Sequence, residues 1–223
     1  MSLARTEKIK CPGCGKEHDF TVWDSVNTTL DPEMKAKARS GEMFRFVCPD
    51  CGAVTNVFYQ CLYHQMEDQV MIYFVPNGPV DEAVNMFRKS DDQMMAAVAA
   101  AYKKRVVTQP NDFMEKLKIL DAKLDDRTIE VMKLIIGVVL QQKQPDQEVQ
   151  EIRFELQESG KSFVLRLKDG KWAGLPFDED FYARMAEDYK EIFAADESVI
   201  IDQAWAMECL QKRDREVKSA EQK

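Results

Sequence analysis

The apolar rhythm of this chain changes twice. Up to residue 75 hydrophobic positions alternate in short bursts: Phe20 and Val22 before Trp23, the run Met43–Val47, then Val70, Ile72 and Phe74. Period-two alternation marks half-buried strands, so residues 8–75 read as a β module. One segment inside it, "DPEMKAKARSG", reads as a short helix with Asp31 as N-cap, Pro32 at the first helical position and Gly41 as the stop.

From 81 to 143 the period lengthens to that of helices. Ser90–Gln93 has the form of a capping box, and the "MMAAVAAAY" that follows is apolar on nearly every face, as a buried helix would be. Phe113, Leu117, Leu120 and Leu124 recur at helical spacing, and so do Ile129, Met132, Ile136, Val139 and Leu140 behind a cap at Asp125. The polar run Gln141–Pro145 ends this part and is read as a domain boundary.

Beyond it strands return. Ile152, Phe154 and Leu156 face Phe163, Leu165 and Leu167 across a turn at Glu158–Lys161, and Asp169–Gly170 signals a second hairpin leading to a packed Trp172. A helix from about 178 would carry Phe181, Met185, Tyr189 and Ile192 on one face. Residues 216–223 read as a frayed, disordered tail. The expected organisation is α+β: residues 1–143 as one domain (8–75 β module, 81–143 helical part), then an acidic β-meander-and-helix domain at 146–215.

Charge narrows the function classes. Of the net charge of −8, the stretch 146–223 supplies −7, from 12 basic and 19 acidic side chains. That balance disfavours a protein held on nucleic acid mainly through phosphates. The best local patch is Lys35, Lys37 and Arg39, with Trp23 and Arg45 near in sequence; three charges at alternate positions do not share a helix face, so an ordinary solvated helix is favoured. No apolar run approaches the ~20 residues that cross a bilayer, and no signal peptide is visible, so no membrane association and a reducing cytoplasm are expected.

Four of the six cysteines sit in two near-identical turns, "CPGCG" at 11–15 and "CPDCG" at 48–52. Two residues between cysteines let one tight turn present both sulfurs to one ion, and the glycine after each pair permits an open backbone. Cys11, Cys14, Cys48 and Cys51 thus form a closed tetrahedral thiolate set, making the N-terminal β module zinc-ribbon-like. Zn²⁺ is the favoured ion; iron suits the same ligands. A set of four protein ligands leaves no open position and is structural rather than catalytic.

With "VWDSVNTTLDPEMK", "SGEMFRFVCPDCG", "LYHQMEDQVMIYFVP" and "EKLKILDAKLDDRTIEVMK", these turns make residues 8–140 resemble the bacterial and archaeal CpXC domain, named for its paired Cys-Pro-x-Cys. The resemblance implies a metal-binding domain and supplies no activity or catalytic residue. His18 is read as an exposed strand residue rather than a ligand, and Cys209 as core. Cys61 and His64, near Glu67 and Asp68, would suit a thiol redox or enzymatic site, but a buried Cys and a partly exposed His are favoured. Asp125–Asp126 and Asp178–Asp180 read as helix-start carboxylates. No phosphate loop, nucleophile elbow or His-Glu-x-x-His helix is present. The function expected is a non-catalytic zinc-stabilised scaffold with a protein partner. The alternatives are a nucleic-acid-binding zinc ribbon and a thiol redox protein or enzyme using Cys61 and His64.

Overall fold

A computed structural model describes residues 2–88 and 101–221; the Ser90–Gln93 box and the apolar helix expected after it lie outside the described residues. The fold is α+β, and it divides between Met114 and Glu115 into two units. The strands are β1 (Leu3–Lys10), β2 (Glu17–Asn27), β3 (Arg45–Val47), β4 (Val54–Asn56), β5 (Cys61–Gln65), β6 (Val70–Phe74), β7 (Lys103–Val107), β8 (Val149–Gln157), β9 (Gly160–Leu167) and β10 (Trp172–Pro176). The helices are α1 (Glu33–Ser40), α2 (Val80–Arg88), α3 (Pro110–Asp121), α4 (Asp126–Lys143), α5 (Glu179–Asp188), α6 (Lys190–Ala194) and α7 (Gln203–Glu221).

The first unit holds a five-stranded sheet ordered β1-β2-β5-β6-β7 and a separate two-stranded ribbon, β3-β4. In β5 and β6 every second residue is buried, Cys61, Tyr63 and Gln65 against Val70, Ile72 and Phe74, as the alternation predicts. Around them Phe44, Phe74 and Phe113 are fully buried, with ring centroids 5.2–6.0 Å apart. Aromatic contacts at that spacing add to the area they bury.

Several expectations for this unit need correction. The module starts at Leu3 rather than residue 8, because β1 pairs along its whole length with β2. All of β1 except Ile9 is exposed, so no apolar alternation announces it. The stretch 81–143 is not wholly helical: Lys103–Val107 forms β7, parallel to β6, with Arg105, Val106 and Val107 buried. A neighbouring strand here overrides the local pattern. Helix α1 starts with Pro32 at the cap position and no side-chain cap, so Asp31 does not act as one; Gly41 ends it at φ 77° as expected.

The second unit is an antiparallel meander ordered β10-β9-β8, with helices. Phe154 pairs with Phe163 and Ile152 with Leu165, so the two apolar sets share a face as read from the sequence, while the turn is tighter than Glu158–Lys161 because Gln157 already pairs with Gly160. The boundary at 141–145 is displaced, because α4 shares the meander's core. Ile129, Met132 and Ile136 cluster with Phe154 and Phe163, while Val131 and Leu134 cluster with Ile192, Phe193, Trp205 and Cys209. A helix with two buried faces cannot be the last element of a preceding domain. Asp125 caps it as predicted, accepting from the Arg127 N–H at 2.9 Å.

Three local readings fail here. Trp172 is 61% exposed on the edge strand rather than packed. The helix from 179 breaks at Tyr189, so its apolar face continues in α6. The tail is helical to Glu221 instead of starting to fray at 216.

The unit also buries charge. Glu115, 3% exposed, accepts from the Phe154 N–H at 2.6 Å and from Lys133 and Arg153 at 3.1 Å. Lys116 lies 3.2 Å from Asp126, which is 1% exposed, and 3.7 Å from Glu130. Burial pushes the Glu115 carboxyl up, opposed by Lys133; Lys133, despite its own burial, is held above its ordinary value by Glu130 and Glu115.

Candidate metal centre

Each cysteine turn joins two antiparallel strands, β1 to β2 and β3 to β4. The two turns are built alike. Cys11 N–H donates to the Lys16 carbonyl and Cys48 N–H to the Ala53 carbonyl, both at 2.9 Å. Gly15 N–H donates to the Cys11 carbonyl and Gly52 N–H to the Cys48 carbonyl, again at 2.9 Å. Gly15 and Gly52 take φ of 75° and 72°, the left-handed backbone that explains a glycine after each second cysteine.

The four sulfurs converge. One ligand atom from each of Cys11, Cys14, Cys48 and Cys51 lies within 4.8 Å of all the others. Cys11 Sγ is 3.6 Å from Cys51 Sγ, and Cys14 Sγ is 3.7 Å from Cys48 Sγ. A metal–sulfur bond of about 2.3 Å in a tetrahedron puts its sulfurs about 3.8 Å apart, whereas a disulfide needs about 2.05 Å. The geometry therefore fits a shared ion and not a pair of disulfides; all six cysteines are free thiols. Gly13 explains how the turns approach: a Cβ there would lie 2.9 Å from Ala53 Cβ and 3.2 Å from Cys51 Sγ.

Electrostatics gives the same answer. The Cys14 backbone N–H, helped by that of Gly13, lowers the Cys11 thiol to about 6. The Ala53 N–H draws Cys51 down, but the Cys48 and Cys11 sulfurs and burial outweigh it and leave it at about 12. Cys14 is likewise raised, burial and the sulfurs of Cys48 and Cys11 overcoming the Lys16 N–H. Four sulfurs this close cannot all ionise without a cation among them. The donor set fits a divalent metal ion.

A flank that the sequence reading missed lies beside the sulfurs. His18 is not an exposed strand residue: its side chain is 14% exposed, 5.9 Å from the Phe46 ring. Its Nε2 is 3.4 Å from Cys48 Sγ and 3.7 Å from Asp50 Oδ2. Both are acceptors when ionised, so Nε2 is assigned the hydrogen. Lys16 Nζ sits 3.0 Å from Asp50, and that carboxylate first, then the thiolates of Cys14 and Cys48, raise its pKa. Two cationic or N–H groups thus face a centre that carries −2 with a dication bound. The only hint in sequence is the position of Lys16 and His18 just after the first turn.

Other candidates do not assemble. Cys61 and His64 stand at odd and even positions of β5 and point to opposite faces. Burial pushes the Cys61 thiol up to about 12 and lowers His64, whose ring is tilted against that of Tyr102 with centroids 5.2 Å apart. A reactive thiol needs a depressed pKa and a base in reach, and Cys61 has neither from His64. On α1, Lys37 projects away from Lys35 and Arg39, and Lys35 lies 3.6 Å from Glu67. Cys209 is core, 1% exposed. Among the described residues no helix is long and apolar enough to cross a membrane.

The family model described as "CpXC protein" matches residues 9–133, spanning both cysteine turns. No curated protein and no solved structure matches the chain. With more than half its length matched, and the paired cysteines gathered into one centre, this chain belongs to the CpXC family.

Proposed function

We propose that this protein is a non-catalytic scaffold whose N-terminal β ribbon is held by one zinc ion and serves protein–protein interaction. The observation that carries the reading is the closed set of four sulfurs, with no place left for a substrate or attacking water. Zinc is preferred to iron because a staple needs no redox chemistry. Unbonded cysteines suit a reducing compartment, the cytoplasm.

The ribbon also offers a surface to a partner. Val47 and Val54 are cross-strand partners beside the second turn, 50% and 54% exposed. A rigid, exposed apolar pair on a stapled hairpin gives an interface its anchor at low entropic cost. Native mass spectrometry of the reduced protein should show one zinc per chain, and Cys48→Ser should abolish it. A tagged pull-down from the native host should recover a protein partner that Val47→Asp loses. Metal-free protein would contradict the staple, and iron-loaded protein would contradict the choice of zinc. Nuclease-sensitive recovery unaffected by Val47→Asp would contradict the interaction role.

A further inference from the structure

We propose that the free edge of β10 is a second docking site, one that takes an extended segment of a partner protein with an apolar side chain next to a lysine or arginine. It deepens the interaction reading above and rests on it only in taking the partner to be a protein; the metal plays no part in it.

The ladder parity shows what the edge offers. Leu167 N–H donates to the Lys171 carbonyl at 2.9 Å and Phe177 N–H to the Lys161 carbonyl at 3.4 Å. In this antiparallel register Ala173 and Leu175 therefore bond toward β9, opposite Leu165 and Phe163. Trp172 and Gly174 then turn their N–H and C=O groups outward, and Pro176 its C=O. Proline stands at one of these outward positions, where its missing N–H costs no ladder bond to β9. Among the described residues of the unit nothing covers this edge: Trp172, Ala173, Gly174 and Pro176 are exposed, and a Cβ on Gly174 would meet no atom within 4 Å. Uncovered edges are templates for an added strand.

A strand added here runs to the mouth of a cavity of about 550 Å³ whose floor includes Met132, Ile136, Phe163, Leu175 and Phe181. Its rim is acidic: Asp178, Glu179 and Asp180. Asp178 is occupied, accepting from the Phe181 N–H at 2.9 Å as the cap of α5. Glu179 pairs with Lys161, whose ammonium lies 4.9 Å from the centroid of Phe177. The chain thus seats one of its own lysines on this rim, between a carboxylate and an aromatic face, which is the chemistry offered to a partner's cation. Asp180 is exposed and remains for it. Edge, cavity and rim together call for main-chain pairing, an apolar anchor and an adjacent positive charge. The −7 of residues 146–223 steers such a segment inward.

The test uses the full chain and a fluorescein-labelled peptide, acetyl-Lys-Leu-Lys-Phe-Lys-Val-amide, followed by anisotropy in moderate salt. The peptide should bind, and a version with proline at its fourth position or glutamate for lysine should not. Gly174→Pro removes only an outward N–H and should weaken binding about five- to tenfold, the worth of one hydrogen bond. Asp180→Lys should weaken it about two- to threefold, as for an exposed ion pair. Unchanged melting temperature keeps both variants interpretable. No binding, or binding indifferent to the peptide proline and to Gly174→Pro, overturns the site. So does a self-associated chain that Gly174→Pro makes monomeric and the peptide does not dissociate, since the edge would then belong to a second copy. Zinc content and the Val47→Asp pull-down are read separately, so failure here leaves the ribbon reading standing.

Discussion

The ribbon tip and the C-terminal unit solve the same problem with opposite means. Around the cysteines the buried apolar set is Cys11, Phe46 and Cys48, with Ile9, Phe20, Ala53 and Val57 partly buried against it. Such a set is small against the ordering entropy of two hairpins, and an ion held by the four sulfurs would contribute directly to folding. The C-terminal unit has two clusters meeting on α4, and it can bear the cost of burying Glu115, Lys116 and Asp126 as well. A chain can therefore be stabilised by coordination at one end and by packing at the other, and the two should respond to different insults.

The largest single-residue effect separating the two is expected at Glu115. Replacing it with alanine leaves the Phe154 N–H without its buried acceptor and reduces Lys133 to Glu130 and Arg153 to Glu151 as carboxylate partners. Breaking a buried pair costs about 3–5 kcal/mol, so Glu115→Ala should sharply lower the denaturant midpoint followed by Trp205 fluorescence in a Trp23→Phe, Trp172→Phe background. Zinc content should not change. A loss of zinc with that mutation would mean the two regions are not separately stabilised.

Gly13→Ala should act on the other side of the comparison. The added methyl meets Ala53 Cβ and Cys51 Sγ, so the turns must separate, at about 1–3 kcal/mol. The expected readout is faster zinc transfer to a chromophoric chelator, with the meander's hydrogen exchange unchanged. The smallest effect should come from His18→Ala, which removes the N–H facing Cys48 and Asp50, worth about 1 kcal/mol. His18→Gln, which can still donate, should restore part of the slow transfer, while Lys16→Ala should have a similar modest effect.

What the sequence made legible was what repeats or alternates. The doubled turn named the four sulfurs that converge, the alternation at 152–167 gave the shared apolar face of β8 and β9, and Asp125 announced a cap. The failures share a physical cause: each concerns a residue whose environment is set by distant chain. β1 is polar and exposed, so only its pairing with β2 makes it a strand. β7 is short and lies among helical patterns, and β6 decides it. Asp126 looked like a second helix-start carboxylate, but its side chain is buried beside Lys116. The boundary at Gln141–Pro145 was a true helix end misread as a domain end, because which elements a helix packs against is not written in its own sequence. His18 was legible as a histidine near cysteines and no more; its distance from Cys48 depends on the second turn folding back onto the first.

The most direct test of the central contrast is hydrogen exchange with and without a zinc chelator under reducing conditions. The account predicts that chelation speeds exchange across residues 9–20 and 45–56, while residues 149–176 keep their protection. Unchanged protection at the cysteine turns would contradict the staple, and equal loss in both regions would contradict their separate stabilisation.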